Sequence, residues 1–183
     1  MLQKIIIINV FCLLYCASDN SSIKWHDNNT YNIANTSSNI LNVSLIEQSA
    51  HDTDSFWLGI HCYNTTDIAG FQFELPAGLK LLDVKGGRAK TSGFDIHKNN
   101  KGLILGFSMI GDAIRKLENN SDSNTIILKV KIKVLDYDLN NFAIKTILAD
   151  PNGEKISFQN SNSEILITIN NNSQKLINIS FYE

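Results

Sequence analysis

Apolar and polar side chains alternate along most of the chain. Phe71, Phe73 and Leu75 alternate with Gln72 and Glu74, and Leu103, Leu105, Phe107 and Met109 alternate with Ile104, Gly106 and Ser108. A period of two sends successive side chains to opposite faces of an extended backbone, so both stretches predict half-buried strands. Leu41, Val43 and Leu45 mark another strand, and Phe56, Leu58, Ile60 and Cys62, alternating with Trp57, Gly59, His61 and Tyr63, mark the next. Phe142, Ile144, Thr146 and Leu148, then Ile165, Ile167 and Ile169, continue the series. The clearest run sets Ile126, Leu128, Val130, Ile132 and Val134 against Ile127, Lys129, Lys131 and Lys133. Its lysine row reads as a solvated face that discourages wrong edge pairing, with recognition of an acidic partner as the other reading. Leu79 to Val84 is apolar without clean alternation and predicts a strand of undecided facing.

The breaks between these runs are rich in Asn, Gly and Asp. Asp150-Pro151-Asn152-Gly153 is a strong turn signal, and Gly86, Gly87 and Gly93 mark a loop or short strand where the backbone turns sharply or takes positive φ. Gly111 to Leu117 predicts one helical turn or a loop lid, and no amphipathic helix is evident. Recurring half-buried strands need a second layer to cover their apolar faces. The pattern therefore predicts an all-β sandwich.

The ends differ from the middle. Lys4 followed by the apolar run Ile5 to Ala17 reads as a secretory signal over residues 1–18, too short to span a bilayer comfortably. Leu13-Leu14-Tyr15-Cys16 resembles a bacterial lipoprotein signal, in which Cys16 carries the lipid, although bulky Tyr15 departs from that pattern. Residues 19–39, rich in Asn, Ser and Thr, read as a linker or arm; residues 40–170 form the sandwich; residues 171–183 form a tail that supplies an extra edge strand or docks elsewhere. With Cys12 and Cys16 in the signal, Cys62 remains alone, so packing rather than a disulfide has to hold an exported domain together.

Composition narrows the function classes. The 183 residues carry 19% charged side chains and a formal net charge of −2, without the basic surplus a general nucleic-acid binder needs. Ser108, in Gly106-Phe107-Ser108-Met109-Ile110-Gly111, lacks the strand-turn-helix setting of a nucleophile elbow. The four histidines are scattered without ligand spacing, and the carboxylates are not paired in a glycosidase context. Asp136, Asp138 and Asn140 start like a calcium loop, but Asn141 and Ile147 occupy the positions that need Gly and an acid. A loop calcium built from other oxygens stays open, and no cofactor or metal site is expected from a motif. Asn42, Asn64 and Asn119 head glycosylation sequons in a chain where Asn is abundant.

The order Ile68-Ala69-Gly70-Phe71-Gln72-Phe73-Glu74-Leu75, then Gly86-Gly87-x-Ala89 with Gly93-Phe94, then Leu105-Gly106-Phe107-Ser108 and Gly111, resembles a cohesin-like domain. Cohesins are the receptor modules of cellulosome scaffolds and many bacterial surface proteins. The resemblance runs, less specifically, from about Leu41 to Ile169. It implies a jelly-roll-like β-sandwich of about nine strands in two sheets. It also implies a non-catalytic, secreted or cell-surface module that recognises a dockerin-type protein. On the parity of the strands, Gln72, Glu74 and Ser108 are expected to point outward with Ile104 and Gly106 beside them, as the partner-binding face. The alternative is a carbohydrate-binding module using Trp57, His61 and Tyr63, which share one strand parity. There Trp57 and His61 would stand roughly 13 Å apart. A weaker third reading has the tail strand pairing with a neighbouring subunit; enzyme activity ranks last.

Overall fold

Eleven strands and one short helix are seen among residues 38–48, 54–117, 124–169 and 173–183, which are those the computed structural model describes. All belong to one compact unit, Ile33–Glu183. The predicted signal, Cys16 and nearly all of the predicted arm lie outside the described residues, as does Asn119.

The strands are β1 (Asn39–Gln48), β2 (Ser55–Tyr63), β3 (Gly70–Glu74), β4 (Leu79–Gly86), β5 (Asp95–Lys98), β6 (Leu103–Phe107), β7 (Ile126–Val134), β8 (Asn141–Ala149), β9 (Phe158–Asn160), β10 (Ser163–Ile169) and β11 (Ser173–Tyr182). One sheet has the order β4-β7-β2-β1-β9 and the other β10-β11-β8-β3-β6-β5. Pairing is antiparallel except between β1 and β9 and between β8 and β11. The two sheets form the predicted sandwich, with eleven strands where the resemblance implied about nine.

The alternation explains the core. Phe56, Leu58, Ile60 and Cys62 from β2 and Val130, Ile132 and Val134 from β7 face Phe71, Phe73, Ile104, Phe142, Ile144 and Leu148 of the other sheet, all buried in one cluster. Phe71 stacks on Phe94 at 6.0 Å between ring centroids and sits 5.2 Å from Phe73. Cys62 is wholly buried, and burial pushes its thiol pKa up to about 12, so it packs as a small apolar group and is chemically inert.

Three elements differ from the sequence-based expectation. The tail is not at an edge: β11 lies between β10 and β8, with Ile177, Ile179 and Phe181 fully buried. Its parity matches its neighbours, so the last residues complete the core. Arg88–Thr91 forms a one-turn helix, α1, where a loop or short strand was expected. Of the glycines around it, Gly93 takes φ 75°, whereas Gly87 is required for close approach, since a Cβ there would stand 2.3 Å from the Ile126 carbonyl oxygen. Finally, β7 carries a bulge opposite Ile60 and His61, which turns Ile126 out onto the lysine face while Leu128 stays inside.

The seams between the sheets are closed by side chains. The Val43 N–H donates to Ser163 Oγ at 2.8 Å, and the Ser161 hydroxyl donates to the Leu41 carbonyl. Gln48 serves both backbone groups of Thr168 on edge strand β10, donating through Nε2 and accepting through Oε1 at 2.5 and 2.8 Å. At the opposite seam Lys98 Nζ donates to the Leu82 carbonyl and lies 3.4 Å from Asp83. Such capping keeps edge backbone groups away from foreign strands.

Candidate docking face

The candidate face is the part of the six-stranded sheet's outer surface built by β8, β3, β6 and β5; β10 and β11 complete that surface. Gln72 sits between Ile147 of β8 and Leu105 of β6, and Glu74 between Lys145 and Leu103. Phe107 lies opposite Gly70 and Asp95, and Leu105 opposite His97. The His97 ring stacks on Phe107 at 5.5 Å and 18°. Phe107 is 37% exposed and Ile147 39%, large values for aromatic and branched side chains in the middle of a regular sheet. The result is an apolar strip of Leu103, Leu105, Phe107 and Ile147 bordered by Gln72, Glu74, Lys145, Asp95 and His97.

Of the five residues expected on this face, Gln72 and Glu74 point outward. Ile104 and Gly106 do not. The expectation took the wrong row of β6 as outward, because both rows are apolar or small and alternation alone does not say which is inside. The register decides it: Gly106 is paired with Phe71, and a Cβ on Gly106 would stand 2.1 Å from the Phe71 ring. The ring occupies the space the glycine leaves, Ile104 is buried beside Phe73, and Leu103, Leu105 and Phe107 are turned out. Ser108 follows the end of β6, and its Oγ accepts the N–H groups of Ile110 and Asp112 at 3.3 and 3.1 Å. It shapes a loop that presents Met109 and Ile110, 77% and 84% exposed, next in sequence to the strip.

The segment from Gly111 to Leu117 is neither helical turn nor lid. Ile114 bridges to Ile68, and the Asp67 carboxylate accepts the Lys116 N–H at 2.7 Å and an Arg115 N–H at 2.9 Å. Those contacts, the Lys116 N–H foremost, hold the Asp67 pKa below its ordinary value. Beneath, the buried Arg88 guanidinium of α1 donates to the carbonyl oxygens of Cys62 and Arg115 and to Asn64 Oδ1, while Asn64 Nδ2 donates to the carbonyls of Thr66 and Arg115. This knot ties α1, β2 and the segment after β6 together. It also sequesters the Asn64 amide, so that sequon is inaccessible in the folded protein.

The expected aromatic strip on the opposite sheet is interrupted. Trp57, His61 and Tyr63 are half-buried on the outward side of β2, but the methyls of Ile46 and Ile126 close over Gly59 between the first two. His61 is clamped, with Nε2 2.7 Å from Ser44 Oγ and Nδ1 2.7 Å from Thr125 Oγ1. Burial lowers its pKa from 6.5 to about 4, so the ring is neutral at pH 7. Because the unfolded chain binds that proton more readily, His61 contributes its full stability above pH 6.5 and loses it progressively as pH falls toward 4. The unfolding free energy from urea titration should drop over that window, by at most about 1.4 kcal/mol per pH unit, and His61→Gln should flatten the drop. An equal fall in the variant would show that other groups are responsible.

Among the described residues no group of three His, Cys, Asp or Glu side chains is placed to hold a metal ion, and no helix is long and apolar enough to cross a membrane. Asp136 accepts the N–H of Asp138 at 2.9 Å within its own turn. Asp150 likewise accepts the N–H groups of Asn152 and Glu154, in the turn that its Pro-Asn-Gly sequel predicts.

Neither a protein-family model nor a curated protein matches the sequence. Several solved cohesin structures are similar in fold. A non-cellulosomal cohesin from the hyperthermophilic archaeon Archaeoglobus fulgidus has a TM-score of 0.44 and 14% identity, over 79% of this chain and 89% of that one. A type I cohesin from a cohesin–dockerin complex of Clostridium thermocellum has a TM-score of 0.45 and 12% identity, over 79% and 97%. A type II cohesin domain from the cellulosome of Acetivibrio cellulolyticus has a TM-score of 0.41 and 16% identity, over 76% and 95%.

Proposed function

We propose that this chain is a non-catalytic receptor module that captures a dockerin-type protein on the outer face of β8, β3, β6 and β5. The observation that carries the proposal is the outward row of β6, half-buried Leu103 and Leu105 and exposed Phe107, beside exposed Ile147 and bordered by Gln72, Glu74, Lys145 and His97. An apolar centre with a charged and amide rim is what a stable protein contact requires: desolvated anchors supply energy and the rim sets register. A flat pleated sheet suits a helical ligand lying across it. The choice of a dockerin-type partner rests on the cohesin-like order of Ile68 to Leu75, Gly86 to Phe94 and Leu105 to Gly111. The basic-then-apolar amino terminus supports an exported, cell-surface or extracellular setting.

Calorimetric titration with dockerin modules of types I, II and III tests the reading. One class should bind, and Leu105→Arg with Glu74→Arg should abolish the heat while leaving the unfolding transition in place. Both sites face outward, so the double variant should change stability only slightly. Unchanged affinity in that variant, or no binding to any class, would overturn the proposal.

A further inference from the structure

The opposite wall of the sandwich carries an unexplained concentration of positive charge. On the outer face of β4, β7 and β2, Lys80 stands directly across from Lys133 and Lys85 directly across from Lys129, with Lys131 opposite Asp83 and Trp57. Like charges directly opposite each other destabilise a sheet. Edge protection explains lysines on β4, which is a terminal strand, but not those on β7, which is paired on both sides. Among the described residues Asp54 lies 2.7 Å from Lys133, Asp83 lies 3.4 Å from Lys98, and Glu47 is paired with Trp57 on the same face. Five described lysines stand on this wall beside those three described carboxylates, in a chain whose net charge is −2.

We propose that this wall is a second binding surface, for an anionic polysaccharide, with the lysines of β4 and β7 meeting carboxylates and the Trp57 indole meeting a sugar ring. Trp57 is half-buried at the centre of the lysines, with Lys85 Nζ 4.3 Å from its ring centroid. Most of the large exposed apolar residues that a protein partner would use as anchors lie on and beside the other sheet; on and beside this wall Ile46, packed over Gly59, and Leu135, just past the end of β7, are exposed. What this wall offers instead is a flat row of cations around one aromatic ring. Lys129, Lys131 and Lys133 repeat every roughly 7 Å along β7, a ladder suited to a linear polymer with charge at regular intervals. The surface is independent of the docking face and needs no aromatic strip.

Affinity electrophoresis in gels containing polygalacturonate, dextran or polyglutamate tests this. Polygalacturonate should retard the protein at low salt and dextran should not, and the retardation should fade as salt screens the charges. Lys129→Glu with Lys131→Glu should weaken it by about tenfold, and Trp57→Ala should weaken it while lysine charge is intact. If the glutamate variant fails to fold, Lys129→Gln with Lys131→Gln serves the same purpose. No retardation by polygalacturonate, or equal retardation of folded lysine variants, overturns the proposal. So does polyglutamate retarding the protein as strongly with no effect of Trp57→Ala, which would mark unspecific attraction to any polyanion.

Discussion

A chain ending at Asn172 is expected not to fold. Removing Ser173–Glu183 takes out β11, whose backbone hydrogen-bonds to β10 on one side and β8 on the other. The loss opens the six-stranded sheet internally and leaves β10 with no partner strand in that sheet. It also removes Ile177, Ile179 and Phe181, all fully buried, the last packed edge-on against Phe73 at 6.2 Å. Their burial alone is worth roughly 5–9 kcal/mol, comparable with the whole stability of a typical domain. Phe181→Ala, by contrast, should cost about 3–5 kcal/mol and leave a weakened but cooperative transition. Near-ultraviolet circular dichroism and urea unfolding would distinguish the two. A truncated chain that still unfolds cooperatively would mean that β11 is dispensable.

Substitution of Gly106 is expected to have the next largest effect. A valine there would place its Cβ inside the Phe71 ring, and that ring is held by Phe73 and Phe94. Overpacking of this kind costs about 1–3 kcal/mol, and the upper end applies because β6 is paired on both sides and cannot retreat. Leu105→Ser, one position away, should cost about 1 kcal/mol, since its side chain lies on the outer face and is only half-buried. Urea midpoints of the two variants would measure the difference. The opposite ranking would mean that Leu105, not Gly106, faces the core.

That contrast shows where sequence and structure part. Phe71, Phe73 and Leu75 set against Gln72 and Glu74 allow only one facing, and the structure has it. On β6 both rows are apolar or small, and only the pairing of Gly106 with Phe71 distinguishes them. A glycine in a strand directly opposite a phenylalanine was the available sign, but it becomes readable only when the register is known. The same limit applies to β7, where a bulge moves Ile126 across the sheet, and to Ser173–Tyr182, expected as an extra edge strand or a docking segment, whose place between β10 and β8 depended on distant partners. The clamp on His61 escaped for a different reason. Ser44 and Thr125 are far from it in sequence and converge only through pairing, so parity alone makes the ring one member of an alternative aromatic strip when it is in fact held, neutral, between two hydroxyls.

Partner capture depends on one arrangement: an apolar row turned outward on β6, serving as the place where a partner lands. Hydroxyl-radical footprinting of the protein, alone and bound to the dockerin module that the titration identifies, tests it most directly. Phe107 and Met109 should oxidise readily in the free protein and become protected in the complex, while Trp57 on the opposite wall keeps its rate. Protection of Trp57 with Phe107 and Met109 unchanged would contradict it.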